Sequence, residues 1–537
     1  MNKLAKFLIL ILLVLITAGC SSNTSSKPDQ AVKQTIKYNI GAEPATLDPA
    51  LAEGANEMTI ENALLEGLVR MDPNGNVSPG MAISWEISDD GLTYTFNLRE
   101  AHWSNGDPVT AGDFVYAWRR ALAPETASPY AYQLYYLVNG KAYNSGELDN
   151  PAEVGVRAEG KDKLIVTLEH PVPYFLSLTA IPIMFPVHQK AVEQDSAGWA
   201  QNPASYICNG PFKLAAWERN QQLTLVKNEN YWDRDNVKLE ELVITLVADS
   251  NTELAMFESG QIDIAETPPY REMERLARGN SLELSPELSN EFYMFNTNNT
   301  PFNDLRVRRA LSLAIDREAL VSKVTMGGEK AAYGFVPYGV AGASAGSDFR
   351  SMEEKLIEGY NPEKASKLLA EAGFPAGQGF PKIELLLTNN KNHLAVAEAI
   401  TGMWREKLGI ETNINVQEYK AYFATLDARD FDIARVGWNA DYNDPMTFLD
   451  LFLTDSPNNQ AGWSNEAYDG LLQEANANAD NNARMQSMLQ AERILMNELP
   501  VVPIYYYTNP YLEKGNIHNV LHPSFAFLAD FKWAYVS

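Results

Sequence analysis

At 537 residues the chain is too long to close around one hydrophobic core, so two or three lobes are expected. Strand and helix patterns are interleaved along it, with no run of βαβ units and no short repeat. Leu92 to Leu98 alternates strictly between apolar and polar, the pattern of a half-buried strand. Lys163 to Leu168, Gln222 to Val226 and Leu242 to Val247 predict further strands. Asp304 is placed to cap a helix in which Val307, Ala310, Leu311, Ala314 and Ile315 form one stripe. Asn361 and Pro362 open a second helix, which Gly373 ends. Val396, Ile400, Met403 and Trp404 share a face of a third, closed by Gly409.

Hydrophobic residues at 45% and aromatics at 10% are enough to fill packed cores. The formal charge of −26 argues strongly against a nucleic-acid partner, because phosphates would be repelled. The first twenty residues are a processing signal. Lys3 and Lys6 form a positive start, and Phe7 to Ile16 is continuously apolar but too short to span a bilayer. Thr17-Ala18-Gly19-Cys20 then resembles the lipobox of bacterial lipoproteins, with threonine where leucine is usual. The resemblance implies lipidation of Cys20, and residues 21–35 read as a polar tether that holds the protein off a membrane. Losing the signal takes the charge to about −28 and leaves Cys208 as the only other cysteine, so no intrachain disulfide is possible. Cys208 has no basic neighbour in sequence and reads as a small core residue.

Phe431 to Leu453 is the stretch most suggestive of recognition. It begins as a strand around Phe431, Ile433 and Val436, with Asp432 and Arg435 between them. It breaks into Asn-Ala-Asp-Tyr-Asn-Asp-Pro, a loop composition, and resumes as an apolar segment. Such a strand delivers an arginine, a tryptophan and a carboxylate to its end.

Several segments carry a resemblance to one family. They are Leu98 to Arg120 (LREAHWSNGDPVTAGDFVYAWRR), Asn209 to Trp232 (NGPFKLAAWERNQQLTLVKNENYW) and Phe295 to Asp316 (FNTNNTPFNDLRVRRALSLAID). They resemble the cluster 5 extracytoplasmic solute-binding proteins of ABC importers. Gly437 to Leu449 (GWNADYNDPMTFL) and Leu47 to Leu68 point to the oligopeptide-binding branch. The resemblance implies an α/β, two-lobed fold of the type II periplasmic-binding-protein kind, with an additional inserted α+β domain and a hinge between the lobes. It places lobe I at residues 36–66, 190–291 and 506–537, the insert at 67–189, and lobe II at 292–505.

A peptide importer must accept many side chains, so it reads what all peptides share. The resemblance gives Asp441 the peptide ammonium, since a charge in a closed cleft needs a fixed counter-charge. The alternative is that Asp441 only shapes a turn with Asn443, Asp444 and Pro445. Gly437, Trp438 and Asn439 would pair with the ligand backbone as an added strand, with Glu53, Gly54 and Ala55 lining it from the opposite lobe. Arg435 is the candidate for the ligand carboxylate, the alternative being an ion pair with Asp432. Gap-free matching puts Lys391 where the family has a histidine, with His393 two residues on, so the far end of the ligand is the weakest part of the expected site. Tyr130, Tyr132 and Tyr506 are candidate pocket aromatics, although neighbouring tyrosines on a strand face opposite ways.

Other patterns do not cohere. Gly342-Ala343-Ser344-Ala345-Gly346 fits a nucleophile elbow but lacks the flanking strand and helix. His518 and His522 stand four apart, as in a zinc helix, but Pro523 breaks any helix there, and no metal or other cofactor is expected. The chain is therefore expected to be a monomeric, lipid-anchored binding protein facing outside the cytoplasm. It would take up oligopeptides and deliver them to an ABC permease. Alternatives are another cargo (a nickel chelate, an opine, an oligosaccharide), a peptide-pheromone receptor, or, less in keeping with the residues, a lipid-anchored hydrolase.

Overall fold

The computed structural model describes residues 32–537 except 53, 73–76, 280, 281, 345, 457 and 479, and excluding the side chains of 270, 419 and 420. The expected signal and lipidation site at Cys20, most of the tether, and Glu53 lie outside the described residues. Residues 34–536 form one unit.

Eleven strands of that unit share one mixed sheet. In one half, Thr35–Asn39 lies parallel to Glu241–Thr245, which continues antiparallel to Gln222–Lys227 and then Phe212–Glu218. In the other half, Ile383–Thr388 lies parallel both to Thr412–Gln417 and to the start of Ile433–Asn439. Two long strands, Leu282–Phe295 and Val501–Glu513, pair with each other and run through both halves. Their register breaks between Pro286 and Asn290. There Glu287, Leu288 and Ser289 bulge out of the ladder, the local device by which a strand pair bends.

A separate four-stranded antiparallel sheet is built from Ala82–Ile87, Thr93–Leu98, Lys163–Thr167 and Val156–Glu159. The expected alternation holds in Thr93–Leu98, where Tyr94, Phe96 and Leu98 are buried and the residues between them are not. The helix Ala111–Leu122 packs on this sheet, started by a reciprocal Thr110–Asp113 capping box.

The helix signals act as their chemistry predicts. The Asp304 side chain accepts from Arg306 N, and Asn361 accepts from Lys364 N. Lys391–Leu408 is capped by Asn390, which accepts from Asn392 N and His393 N, and stops at Gly409 with φ +71°. Val396, Ile400 and Trp404 bury its inner face. Because this helix carries His393, Asn390→Ala should cost about 1 kcal/mol of stability, read as a shift in the denaturation midpoint. An unchanged midpoint would mean that packing alone fixes the helix start.

Cys208 is buried, and burial pushes its thiol up to about 12, so it does not act as a nucleophile near neutral pH. No helix among the described residues is long and apolar enough to cross a membrane.

Candidate ligand-binding cleft

The strand Ile433–Asn439 is asymmetric. Its inner edge pairs along its whole length with Leu282–Phe295, from Phe295 opposite Ile433 to Ser289 opposite Asn439. Its outer edge pairs with Ile383–Thr388 only at Ile433 and Ala434. Just past the strand, Ala440 N donates to Leu288 O at 2.8 Å. Because successive residues turn their main chain to opposite edges, even-numbered residues face the partner strand and odd-numbered ones face outward. The outward carbonyl of Arg435 accepts from Tyr422 Oη at 2.5 Å. Gly437 and Asn439 therefore present their N–H and C=O groups to an edge that no strand covers among the described residues. That edge is a template for an added extended chain.

Asp441 stands two residues beyond this edge. Its carboxylate accepts from Tyr130 Oη at 3.0 Å and Tyr132 Oη at 3.4 Å, and its N–H donates to Thr447 Oγ1 at 3.1 Å. Among the described residues no cation pairs with it. Burial raises its carboxyl to about 6, against the opposing pull of the tyrosine hydroxyls. The turn itself is held by other groups. Asp444 pairs with Arg484 at 2.6 and 2.7 Å, both side chains buried, and accepts from Met446 N at 2.9 Å. Asn443 accepts from Ala341 N at 2.8 Å, and Tyr442 stacks on Tyr174 with ring centroids 4.0 Å apart. Shaping the turn thus leaves the Asp441 carboxylate unused.

A cavity of about 140 Å³ opens at this carboxylate. Asn439 and Asp441 form one wall, Tyr130 another, and Ala55 and Met58 of the helix Ala55–Leu64 a third. Glu287 of the bulge and the loop from Pro523 to Leu528 complete it. Gly54 is the N-cap of the Ala55–Leu64 helix; a Cβ there would meet Glu57 Oε2 at 2.3 Å, and Glu57 is already holding Ala45 N.

A second cavity, of about 470 Å³, lies along the other end of the strand. Arg435, Gly437, Trp438 and His393 line it together with Phe423 and Phe452. The Arg435 guanidinium is not free. Its Nε donates to Glu291 Oε1 at 2.8 Å, its Nη2 to Glu291 Oε2, and Nη2 also meets Tyr507 Oη at 2.6 Å. The alternative partner Asp432 instead accepts from Glu384 N at 3.0 Å. Gly437 makes room for this pair, since a Cβ there would sit 3.2 Å from Arg435 Nη2. Burial and the charge of Arg435 lower His393 to about 2, so its ring is neutral near neutral pH. Lys391 is exposed at the helix start and outside this cavity's lining. Hydrogen bonds from Thr252 and, less, the charge of Lys391 hold Asp249 below its ordinary range. Thus of the three residues considered for a ligand carboxylate, one is paired, one is neutral and one stands outside the cavity.

Tyr506 lines neither of these two cavities. It is buried, and its hydroxyl exchanges hydrogen bonds with the backbone of Gly334 at 2.9 and 3.1 Å, so it belongs to the core. Strand alternation sends the next residue, Tyr507, to the Arg435–Glu291 pair instead. Ser344, the centre of the elbow pattern, lies in a loop closed by a bridge between Ala341 and Asp348, with neither strand nor helix to present it.

Residues 76–460 match the family described as bacterial extracellular solute-binding proteins, family 5 Middle. The chain belongs to this family. Among its relatives, the oligopeptide-binding protein OppA of Bacillus subtilis is 36% identical over 516 residues, covering 94% of this chain and 93% of that one. The periplasmic OppA of Salmonella typhimurium is 37% identical, again over 94% and 93%. The solved structure of Haemophilus influenzae OppA in complex with RPPGFSPFR aligns with a TM-score of 0.81 at 33% identity, covering 94% of this chain and 99% of that one. The fold of this family 5 protein is accordingly the two-lobed α/β type.

Several site residues escaped the sequence reading. Glu291 carried a signal, being an acid beside the apolar run Phe292 to Phe295, where only a paired charge is tolerated. Glu287 and the loop from Pro523 to Leu528 carried none, since only the tertiary fold brings them to Asp441.

Proposed function

We propose that the protein captures oligopeptides outside the cytoplasm, through their main chain and amino terminus, and delivers them to an ABC permease. One observation carries this reading. A half-buried carboxylate without a counter-cation among the described residues, Asp441, stands at the end of a strand edge whose Gly437 and Asn439 main-chain groups no described strand covers. An extended chain on that edge places its ammonium against Asp441. The relatives named for oligopeptides agree with it.

Recognition in this scheme does not depend on the ligand's carboxylate, because Arg435 already has Glu291. The second register break of the crossing strands, between Glu291 and Phe292, is the proposed hinge, with lobe I at 36–66, 190–291 and 506–537, the insert at 67–189 and lobe II at 292–505. Peptide contacts to both sides shift the open–closed equilibrium to closed, the form offered to the permease. The Cys20 lipid anchor, cell-membrane location and monomeric state complete the proposal. Calorimetry with short peptides of mixed sequence tests it. Heat of binding with modest dependence on side chains is expected. No binding by any peptide, with binding of a sugar or a metal chelate instead, would refute it.

A further inference from the structure

The cavity at Asp441 contains a second acid that the ammonium does not use. Glu287 lines it from the bulge in Leu282–Phe295, where three residues, Glu287 to Ser289, stand opposite Tyr507 alone. The bulge is pinned on both sides of the cavity. Leu288 N donates to Ser524 O at 2.6 Å, and Leu288 O accepts from Ala440 N at 2.8 Å. The position of Glu287 is thus built into the frame that also holds the Asp441 loop.

Three other polar side chains of the lining have partners. Asn439 Oδ1 accepts from Ser289 Oγ at 2.5 Å, Asn509 Nδ2 donates to Glu266 Oε2 at 3.3 Å, and Tyr130 serves Asp441. No hydrogen bond or ion pair reaches Glu287 among the described residues, and no Lys, Arg or His lines the cavity. Burial and then the charge of Glu329 push the Glu287 carboxyl up to about 7. Glu329 is itself occupied by Thr325 Oγ1 and Gly327 N. A carboxylate so placed lacks a cation, and the one ammonium of a peptide goes to Asp441, where two tyrosine hydroxyls already orient the acceptor.

Resting on the peptide reading above, we propose that Glu287 makes this cavity selective for peptides whose first residue carries a second positive charge, a lysine or an arginine side chain. The same acid disfavours a first residue that is itself acidic, by like-charge repulsion in a poorly hydrated space. Selectivity at the first residue then coexists with indifference along the open strand edge, which reads only main chain.

The test is calorimetry at pH 8 with three peptides that differ only at residue one, carrying lysine, norleucine or glutamate. The native protein should bind the lysine peptide at least tenfold more tightly than the norleucine peptide, and the glutamate peptide most weakly. In Glu287→Gln, with folding checked by its melting temperature, the lysine-to-norleucine ratio should fall to within twofold. No lysine advantage in the native protein would overturn the proposal whether or not the variant folds, as would an advantage that survives Glu287→Gln. Binding of all three without preference would leave the peptide reading standing. Binding of none would overturn that reading and the proposal together.

Discussion

Asp441→Asn should weaken binding of free-amino peptides by about 2–5 kcal/mol, a loss of roughly thirty- to several thousand-fold, measured by calorimetry at pH 8. The substitution keeps the shape and most hydrogen bonds but removes the charge that would meet the ammonium. It also separates a ligand role from a structural one. In the free protein, raising this carboxyl from 3.8 to about 6 means that ionised Asp441 opposes folding by about 3 kcal/mol at neutral pH. The sign follows from linkage. The folded protein holds this proton more tightly than the unfolded chain does, so the group favours the folded state at low pH and disfavours it once ionised. Asp441→Asn should therefore leave the melting temperature of the free protein at pH 8 unchanged or higher while binding collapses. A large fall in melting temperature would make Asp441 a structural residue.

The same carboxyl fixes the pH dependence of binding. The interaction needs an ionised Asp441 and a protonated ligand amine, so affinity should be highest near pH 7 and fall again above about pH 8, where the peptide's α-amino group loses its proton. Below pH 6 it should fall, by up to tenfold per pH unit, as Asp441 takes up a proton in the free protein. Affinity titrations between pH 5 and pH 8 check this, and a flat profile would contradict it.

Glu291→Gln should cost about 3 kcal/mol of stability, read from the denaturation midpoint. Glu291 is fully buried and Arg435 nearly so, and their bonds hold the start of the strand edge in place. An amide cannot neutralise the guanidinium, which is left as an uncompensated charge beside the 470 Å³ cavity. Ligand binding should change in a specific way. In the native protein, amidating a peptide's C-terminus should matter little. In Glu291→Gln the freed Arg435 should favour the carboxylate over the amide. A native protein with a strong carboxylate preference would show that the pair opens to receive the ligand.

How much of this was legible in the sequence follows the distance over which each feature is decided. Asp304, Asn361 and Gly409 cap helices through contacts within a few residues, and their roles could be read directly. The Asn-Ala-Asp-Tyr-Asn-Asp-Pro loop also showed its turn chemistry locally. The environment of Asp441 did not, because Tyr130 reaches it from 311 residues away. The partner of Arg435 lies 144 residues back along the chain, so Asp432, close in sequence, was the natural candidate until the sheet register was known. Tyr506 and Tyr507 differ by one step of a strand, which sends one into the core and the other to the ion pair. Periodicity alone does not say which face is which.

The central claim is that Asp441 receives a peptide's free ammonium at the end of an added strand. The most direct measurement compares one peptide with its N-acetylated form at pH 8 by calorimetry. The free-amino peptide should bind at least thirtyfold more tightly, and that gap should largely close in Asp441→Asn. Equal affinity of the two forms for the native protein would contradict the claim.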